Sequence, residues 1–186
     1  PKKVRPLHYM TGLYIHIPFC RQACHYCNFH FSTQLKHINP LVDAICAEID
    51  QQNTSANPLP IHTIYFGGGS PSLLSPQQLH RIFEAIHRNF NTQNCVEITL
   101  EANPEDINPT NLQHWKAIGI NRLSLGIQSL NNEELQWMNR AHTAEQSLQA
   151  VELCTTAGFH NLSIDLIYGS EKKSLDQWKS ELQWAL

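Results

Sequence analysis

Cys20, Cys24 and Cys27 place three thiols within eight residues. That spacing lets one short loop wrap a metal centre, because thiolates are soft ligands for zinc and iron. Zinc at a structural site takes four ligands, and His16, His25 or His30 is near enough in sequence to supply the fourth. A [4Fe–4S] cluster also normally takes four thiolates, so three would leave one iron open to a substrate or cofactor. Cys46, Cys95 and Cys154 lie apart from this group and read as buried apolar thiols. Six cysteines among 186 residues are too sparse and uneven for a disulfide scaffold.

Other polar or glycine features recur at the ends of apolar runs. Short β-branched or alternating runs predict strands over 13–17, 61–66, 96–100, 121–127 and 162–167. Apolar residues at helical spacing predict helices over 40–50, from 76 onward, over 109–118, 132–138 and 144–157, and from 174 to the end. Ser75-Pro76 and Asn108-Pro109 are helix-opening pairs, and Gly119 and Gly158 are stops. Residues 53–60 read as a polar loop. The result is βα repeated five times, which means a parallel sheet with right-handed crossovers. An open doubly wound sheet and a partial (β/α) barrel both fit, while a complete eight-strand barrel needs ~250 residues. On either architecture the Cys loop, Gly67-Gly68-Gly69-Ser70-Pro71, Glu101, Gln128 and Asp165 converge on the carboxyl ends of the strands.

Composition narrows the function classes. Apolar residues make up 41%, enough for a core. No run approaches the ~20 apolar residues that span a bilayer. Thirteen Lys and Arg against sixteen Asp and Glu give a net charge of −3, which argues against non-specific nucleic-acid binding. Eleven histidines would turn the chain positive as pH falls through ~6.5. The basic start has no apolar run behind it, so a reduced, cytoplasmic compartment is expected. Residues 1–12 read as a tail and 13–186 as the core domain. The four tryptophans, at helical positions, read as core rather than as an aromatic platform for a ligand. His16 and His142 read as orienting or packed. The uncapped apolar ending suggests an architecture cut before completion.

The order of motifs carries a resemblance. Tyr14-Ile15-His16-Ile17-Pro18-Phe19-Cys20, Gly67-Gly68-Gly69-Ser70-Pro71, Glu101-Ala102-Asn103-Pro104-Glu105-Asp106, Gly126-Ile127-Gln128-Ser129, Asn139-Arg140-Ala141-His142 and Asp165-Leu166-Ile167-Tyr168-Gly169 follow one another around the CxxxCxxC loop. The chain thereby resembles the radical S-adenosylmethionine (SAM) enzymes. The branch is the one that holds oxygen-independent coproporphyrinogen III dehydrogenase and the HemW-type haem chaperones. The resemblance runs from about Leu13 to Gly169.

It implies a partial (β/α) barrel, a [4Fe–4S] cluster on Cys20, Cys24 and Cys27, and S-adenosylmethionine chelated at the open iron and cleaved reductively. By the same likeness Tyr14 and Tyr26 flank the cofactor. Gly68 and Gly69 let backbone approach its methionine moiety. Ser70 keeps a hydroxyl where the family usually has Thr. Glu101 would hold a cationic or hydroxyl-bearing part, and Gln128 offers donor and acceptor. Arg140 suits a carboxylate, and Asp165 suits a ribose hydroxyl or the amine. Phe29 stands where the dehydrogenase resembles a fourth Cys, which favours the chaperone over oxidative decarboxylation of coproporphyrinogen III. The chaperone reading implies haem as ligand, a respiratory haem protein as recipient, and work at the membrane periphery. A zinc-bound structural module is the remaining alternative. Two departures stand out. Family members are roughly twice as long, and the Leu-Pro-Gly that usually follows Tyr168-Gly169 is here Ser170-Glu171-Lys172.

Overall fold

The computed structural model describes residues 10–52 and 59–186. The expectations placed on residues 1–9 and on most of the 53–60 loop lie outside the described residues. The strands are β1 (Gly12–Ile17), β2 (Thr63–Gly68), β3 (Glu97–Ala102), β4 (Arg122–Gln128) and β5 (Asn161–Leu166). The helices are α1 (Ile38–Gln52), α2 (Pro76–Asn89), α3 (Pro109–Ala117), α4 (Asn132–Trp137), α5 (Ala144–Thr156) and α6 (Leu175–Ala185).

All neighbouring strands pair in parallel, in the order β1-β2-β3-β4-β5. Spatial order equals chain order, so every crossover steps the same way. A doubly wound sheet would reverse direction at a switch point. The sheet is therefore an arc of a (β/α) barrel, with its helices on one face.

The two faces differ because strand side chains alternate. Ile15, Ile17, Ile64, Phe66, Leu100, Leu123, Leu125 and Ile127 are buried in one core with Val42, Leu79, Ile82, Ile86, Leu112 and Trp115 from the helices. Each fully buried large aliphatic or aromatic side chain contributes about 1.5–3 kcal/mol of transfer energy. The opposite face carries Tyr14 and His16, Tyr65, Glu101, Ser124 and Gln128, then Asp165, brought level by the register Tyr14↔Tyr65 and Glu101↔Ser124. A parallel sheet covered on both faces reads as a continuous apolar run. Here one face is left polar.

Helix starts follow side-chain chemistry. Ser75 accepts from the Gln78 N–H while the Gln78 side chain accepts from the Ser75 N–H, with Pro76 in the first turn. Thr143 with Gln146 and Ser174 with Gln177 repeat the device.

Several expectations need correction. β2 runs on through Gly67 and Gly68, because their backbones continue the ladder opposite His16 and Ile17. β3 starts after Val96, which is 69% exposed. β1 begins at Gly12, so that residue is not tail. Trp115 is core, but Trp137 is half exposed at the end of a six-residue helix and Trp184 is on the outside of α6. Cys154 is buried, whereas Cys46 and Cys95 are half-buried beside the carbonyls of Arg81 and Glu97. Among the described residues no helix is long and apolar enough to cross a membrane.

Candidate functional site

Pro18 ends β1 and the chain turns into the cysteine loop. The Cys20 N–H donates to the Ser32 carbonyl at 3.1 Å, which closes the loop on itself. Cys20, Cys24 and Cys27 line one cavity of about 90 Å3 together with Gly68, Gly69 and Ser70. None of His16, His25 and His30 lines it. His16 accompanies Tyr14 in the neighbouring cavity at 3.1 Å, and His25 Nδ1 is taken up by the Trp137 carbonyl at 2.7 Å. Among the described residues no three His, Cys, Asp or Glu side chains converge where a single metal ion would sit.

The thiol cavity opens onto a second one of about 320 Å3. Phe29, Gly68, Gly69, Asn103 and Arg140 belong to both. Tyr14, Glu101, Gln128 and Asp165 complete the second. The glycines are required by space. A Cβ on Gly69 would stand 2.5 Å from the Phe19 carbonyl oxygen and 2.8 Å from Cys20 Sγ. Gly68 has φ +120°, and a Cβ there would meet the His16 ring at 2.8 Å. The Gly69 and Ser70 amides are tied to the carbonyls of Ile17 and Phe19 at 2.8 and 2.7 Å.

Glu101 has an internal task. Its Oε2 accepts from the Gly68 N–H at 2.9 Å and its Oε1 from the Tyr65 hydroxyl at 2.8 Å. Burial, then the Glu101 hydrogen bond, pushes the Tyr65 phenol up to about 12, so it remains a donor. Tyr14 is exposed at 56% and stacks on Tyr65 with ring centroids 6.0 Å apart.

Arg140 joins the two cavities. Its Nη2 donates to Asn103 Oδ1 and to the Gly126 carbonyl, both at 2.7 Å. Its Nη1 faces Cys24 Sγ at 3.5 Å and the Tyr26 hydroxyl at 3.4 Å. Its Nε–H is buried with no partner among the described residues, an orphan donor of a kind folded proteins rarely leave. Burial, outweighing the neighbouring Arg140 charge, pushes the Tyr26 phenol up to about 12. Burial likewise raises the Cys20 thiol, while the Ser70 hydroxyl and Arg140 act against the rise.

Gln128 ends β4 with φ +69°, a rare conformation for a residue with a side chain, beside the register shift between Leu125 and Gln128. Its carbonyl accepts from the Ile167 N–H at 2.8 Å, which ties the ends of β4 and β5 together. Asp165 is solvent-exposed at the lip. His142 is buried between Glu105 at 3.2 Å and the Ile127 carbonyl at 3.0 Å, both of its ring nitrogens taken up within the chain.

The structure thus brings together Tyr14, Cys20, Cys24, Tyr26, Cys27, Gly68, Gly69, Ser70, Glu101, Gln128, Arg140 and Asp165 around two adjoining cavities. Sequence reasoning missed Asn103, whose Nδ2 donates to Ser70 Oγ at 2.8 Å while its Oδ1 holds Arg140. It also missed Tyr65. The available signal was period two: Tyr65 shares the polar face with Tyr14 and Glu101.

The pattern of the radical SAM superfamily matches residues 14–185. A haem chaperone HemW of Lactococcus lactis is 36% identical over 173 residues, covering 93% of this chain and 45% of that protein. The HemW of Synechocystis is 36% identical over 183 residues, covering 95% of this chain and 44% of that one. The solved coproporphyrinogen III oxidase HemN of Escherichia coli, a radical SAM enzyme, superposes with a TM-score of 0.84 at 30% identity, over 93% of this chain and 40% of that one. The chain spans about half the length of the curated relatives it matches. With the family pattern running over nearly all of it, the chain belongs to the radical SAM superfamily, and that membership implies S-adenosylmethionine and a [4Fe–4S] cluster.

Proposed function

We propose that this chain is the cofactor-binding core of a haem chaperone of the HemW type, with Cys20, Cys24 and Cys27 as the cluster ligands. The observation that carries the reading is that all three thiols line one cavity which opens, past Gly68 and Gly69, onto a polar one. Thiols are the ligands such a cluster takes. The glycine cradle that a Cβ would fill and the orphan Nε–H of Arg140 both fit a bound small molecule with a carboxylate. When bound, the cluster and S-adenosylmethionine together supply one-electron chemistry.

The chain's own residues bind, orient and exclude water. Gly68 and Gly69 allow close approach of the ligand to the backbone. Glu101 fixes the Gly68 amide, and Tyr65 fixes Glu101. Asn103 holds both Ser70 and Arg140, so the hydroxyl beside Cys20 and the guanidinium beside Cys24 move as one unit. Gln128 and Asp165 offer hydrogen bonds from the opposite wall. Tyr14 and Tyr26 supply aromatic edges at the mouth and beside the cysteine loop.

Haem as the ligand, and a haem protein as recipient, rest on the relatives named haem chaperones and on Phe29. Phe29 is 80% exposed on the shared wall of the two cavities, where the decarboxylating branch resembles a further Cys.

The test is anaerobic iron–sulfur reconstitution followed by haem titration. A broad shoulder near ~400 nm that bleaches with dithionite is expected, and then a haem absorption band that shifts on adding this chain. A colourless chain carrying about one zinc would overturn the cluster assignment. A reconstituted chain that leaves the haem band unmoved and decarboxylates coproporphyrinogen III would overturn the chaperone reading.

A further inference from the structure

The cysteine loop is held in shape by side chains that are not among its thiols. On one flank the Gln22 Nε2 donates to Asn139 twice, to its carbonyl at 2.8 Å and to its Oδ1 at 2.7 Å. Asn139 Nδ2 donates back to the Ala23 carbonyl at 2.7 Å. The His25 N–H adds a bond to the Met138 carbonyl at 3.1 Å. Asn139 adopts φ +57°, a left-handed conformation that turns its backbone carbonyl and its side chain toward the same partner. Asn is among the few side-chain-bearing residues that tolerate this region.

On the other flank the Arg21 guanidinium meets Asp106 Oδ1, with Nη2 at 3.0 Å and Nε at 3.3 Å. Asp106 is 3% exposed, and its Oδ2 accepts from Ser72 Oγ at 2.7 Å. Asp106 follows β3 and Ser72 follows the glycine turn after β2. That pair therefore fixes the cysteine loop to both neighbouring strand ends.

We propose that Asn139 and Asp106 are positioning residues that clamp the cysteine loop from its two flanks and preform it before any group is bound. The chain then spends little ordering entropy when its thiols are engaged, because the residues between Cys20 and Cys24 are already fixed. The clamp concerns the bare loop; its use in holding a cluster rests on the proposed function.

The experiment is amide hydrogen exchange of the metal-free chain, followed by reconstitution. Asn139→Gly keeps the left-handed backbone at no steric cost and removes only the side-chain bonds. Gln22→Ala removes both bonds that Gln22 donates to Asn139 and leaves the Asn139–Ala23 bond, and Asp106→Asn removes the charge of the other flank. Each of Asn139→Gly and Gln22→Ala is expected to speed exchange of the His25 amide about tenfold or more. Exchange in β2 to β4 should be unchanged. The double variant should lose more protection than either single one but less than their sum, because both delete the Gln22 Nε2–Asn139 Oδ1 bond while each also deletes a bond that the other keeps. After reconstitution, the variants should lose iron to a chelator faster. Their reduced cluster should also give a broader electron paramagnetic resonance signal, a readout that loss of global stability alone would not produce. Wild-type exchange in the single variants, or additive effects in the double variant, would overturn the clamp. If the wild-type chain takes up no iron at all, the cluster assignment fails while the exchange measurements still decide the clamp.

Discussion

Lys173 provides the sharpest quantitative test of how the rim is assembled. It sits in the β5–α6 loop with a side chain only 2% exposed, between Glu134 of α4 at 2.9 Å and Glu181 of α6 at 2.5 Å. Glu134 is fully buried and the Glu181 side chain is 6% exposed. Ser129 donates toward both carboxylates, Ser170 to Glu134, and the Leu130 N–H to Glu181. Glu181 is the buried residue of α6, so one carboxylate attaches that helix to the end of β4. The cluster holds two negative charges and one positive. Replacing Lys173 by Met leaves two buried carboxylates facing each other, and removing one partner of a buried pair costs about 3–5 kcal/mol. Replacing Glu181 by Gln instead leaves one Lys and one Glu, a balanced pair, and costs on the order of 1–1.5 kcal/mol for the weakened hydrogen bonds. Urea unfolding followed by circular dichroism reads the difference. With a slope of about 2 kcal/mol/M the Lys173→Met midpoint drops by roughly 2 M and that of Glu181→Gln by under ~1 M. The Lys173→Met deficit should also shrink as pH falls toward ~5, because protonating one carboxyl relieves the repulsion. Equal losses in the two variants, or a Lys173→Met deficit independent of pH, would refute the charge-counting argument.

Other outcomes follow from the same geometry. Burial would raise the Glu134 carboxyl, but Ser129, Ser170 and Lys173 outweigh it and hold it below the usual range; His142 and Arg140 do the same for Glu105. Folded values below the unfolded one give stability that is present above the ordinary carboxylate value of ~4.3 and lost as pH falls from there through the lowered folded values. Thermal melts between pH 7 and 3 should therefore show a steep fall beginning near pH 5, and a flat profile would contradict it. Gly69→Ala should sharply reduce iron incorporation while leaving the far-ultraviolet spectrum intact, since its Cβ would press on Phe19 and Cys20. Tyr65→Phe removes one donor to Glu101 and should cost about 1–2 kcal/mol of stability in a urea melt. In addition, it should weaken S-adenosylmethionine binding, measured by calorimetry, through a loosened Gly68 amide. Leu100→Ala, at a fully buried position in β3, should cost about 2–5 kcal/mol in the same urea assay.

Much of this arrangement was legible in the sequence. The strand–helix alternation is carried by short apolar runs and by caps such as Ser75-Pro76, which act within a few residues. The cysteines, glycines and strand-end polar residues could be placed on one rim because parallel topology puts every strand's carboxyl end on the same side. The choice between a doubly wound sheet and a barrel arc was not legible from element order alone. It depends on which way each crossover steps. Period two held the answer: Tyr14 and His16, Tyr65, Thr99 and Glu101, Ser124 and Gln128 alternate with apolar neighbours, so helices cover only one face.

What stayed hidden was the contact between distant polar residues. Asn103 looks like any strand-end Asn until Ser70 and Arg140 are found on either side of it. Glu181 looks like an ordinary solvated helix residue, and the apolar residues of α6 predict an inward face. In the structure Leu175 is 67% exposed and Glu181 is the buried residue, because Lys173 is buried beside it. Helical periodicity assumes that burial is apolar. A buried ion cluster inverts it, and only the partner supplied by another element reveals the inversion. The same logic applies to Arg140, whose spacing gives no sign of burial. Its position is set by Asn103 and the Gly126 carbonyl, which leave its buried Nε–H without a hydrogen-bond partner among the described residues.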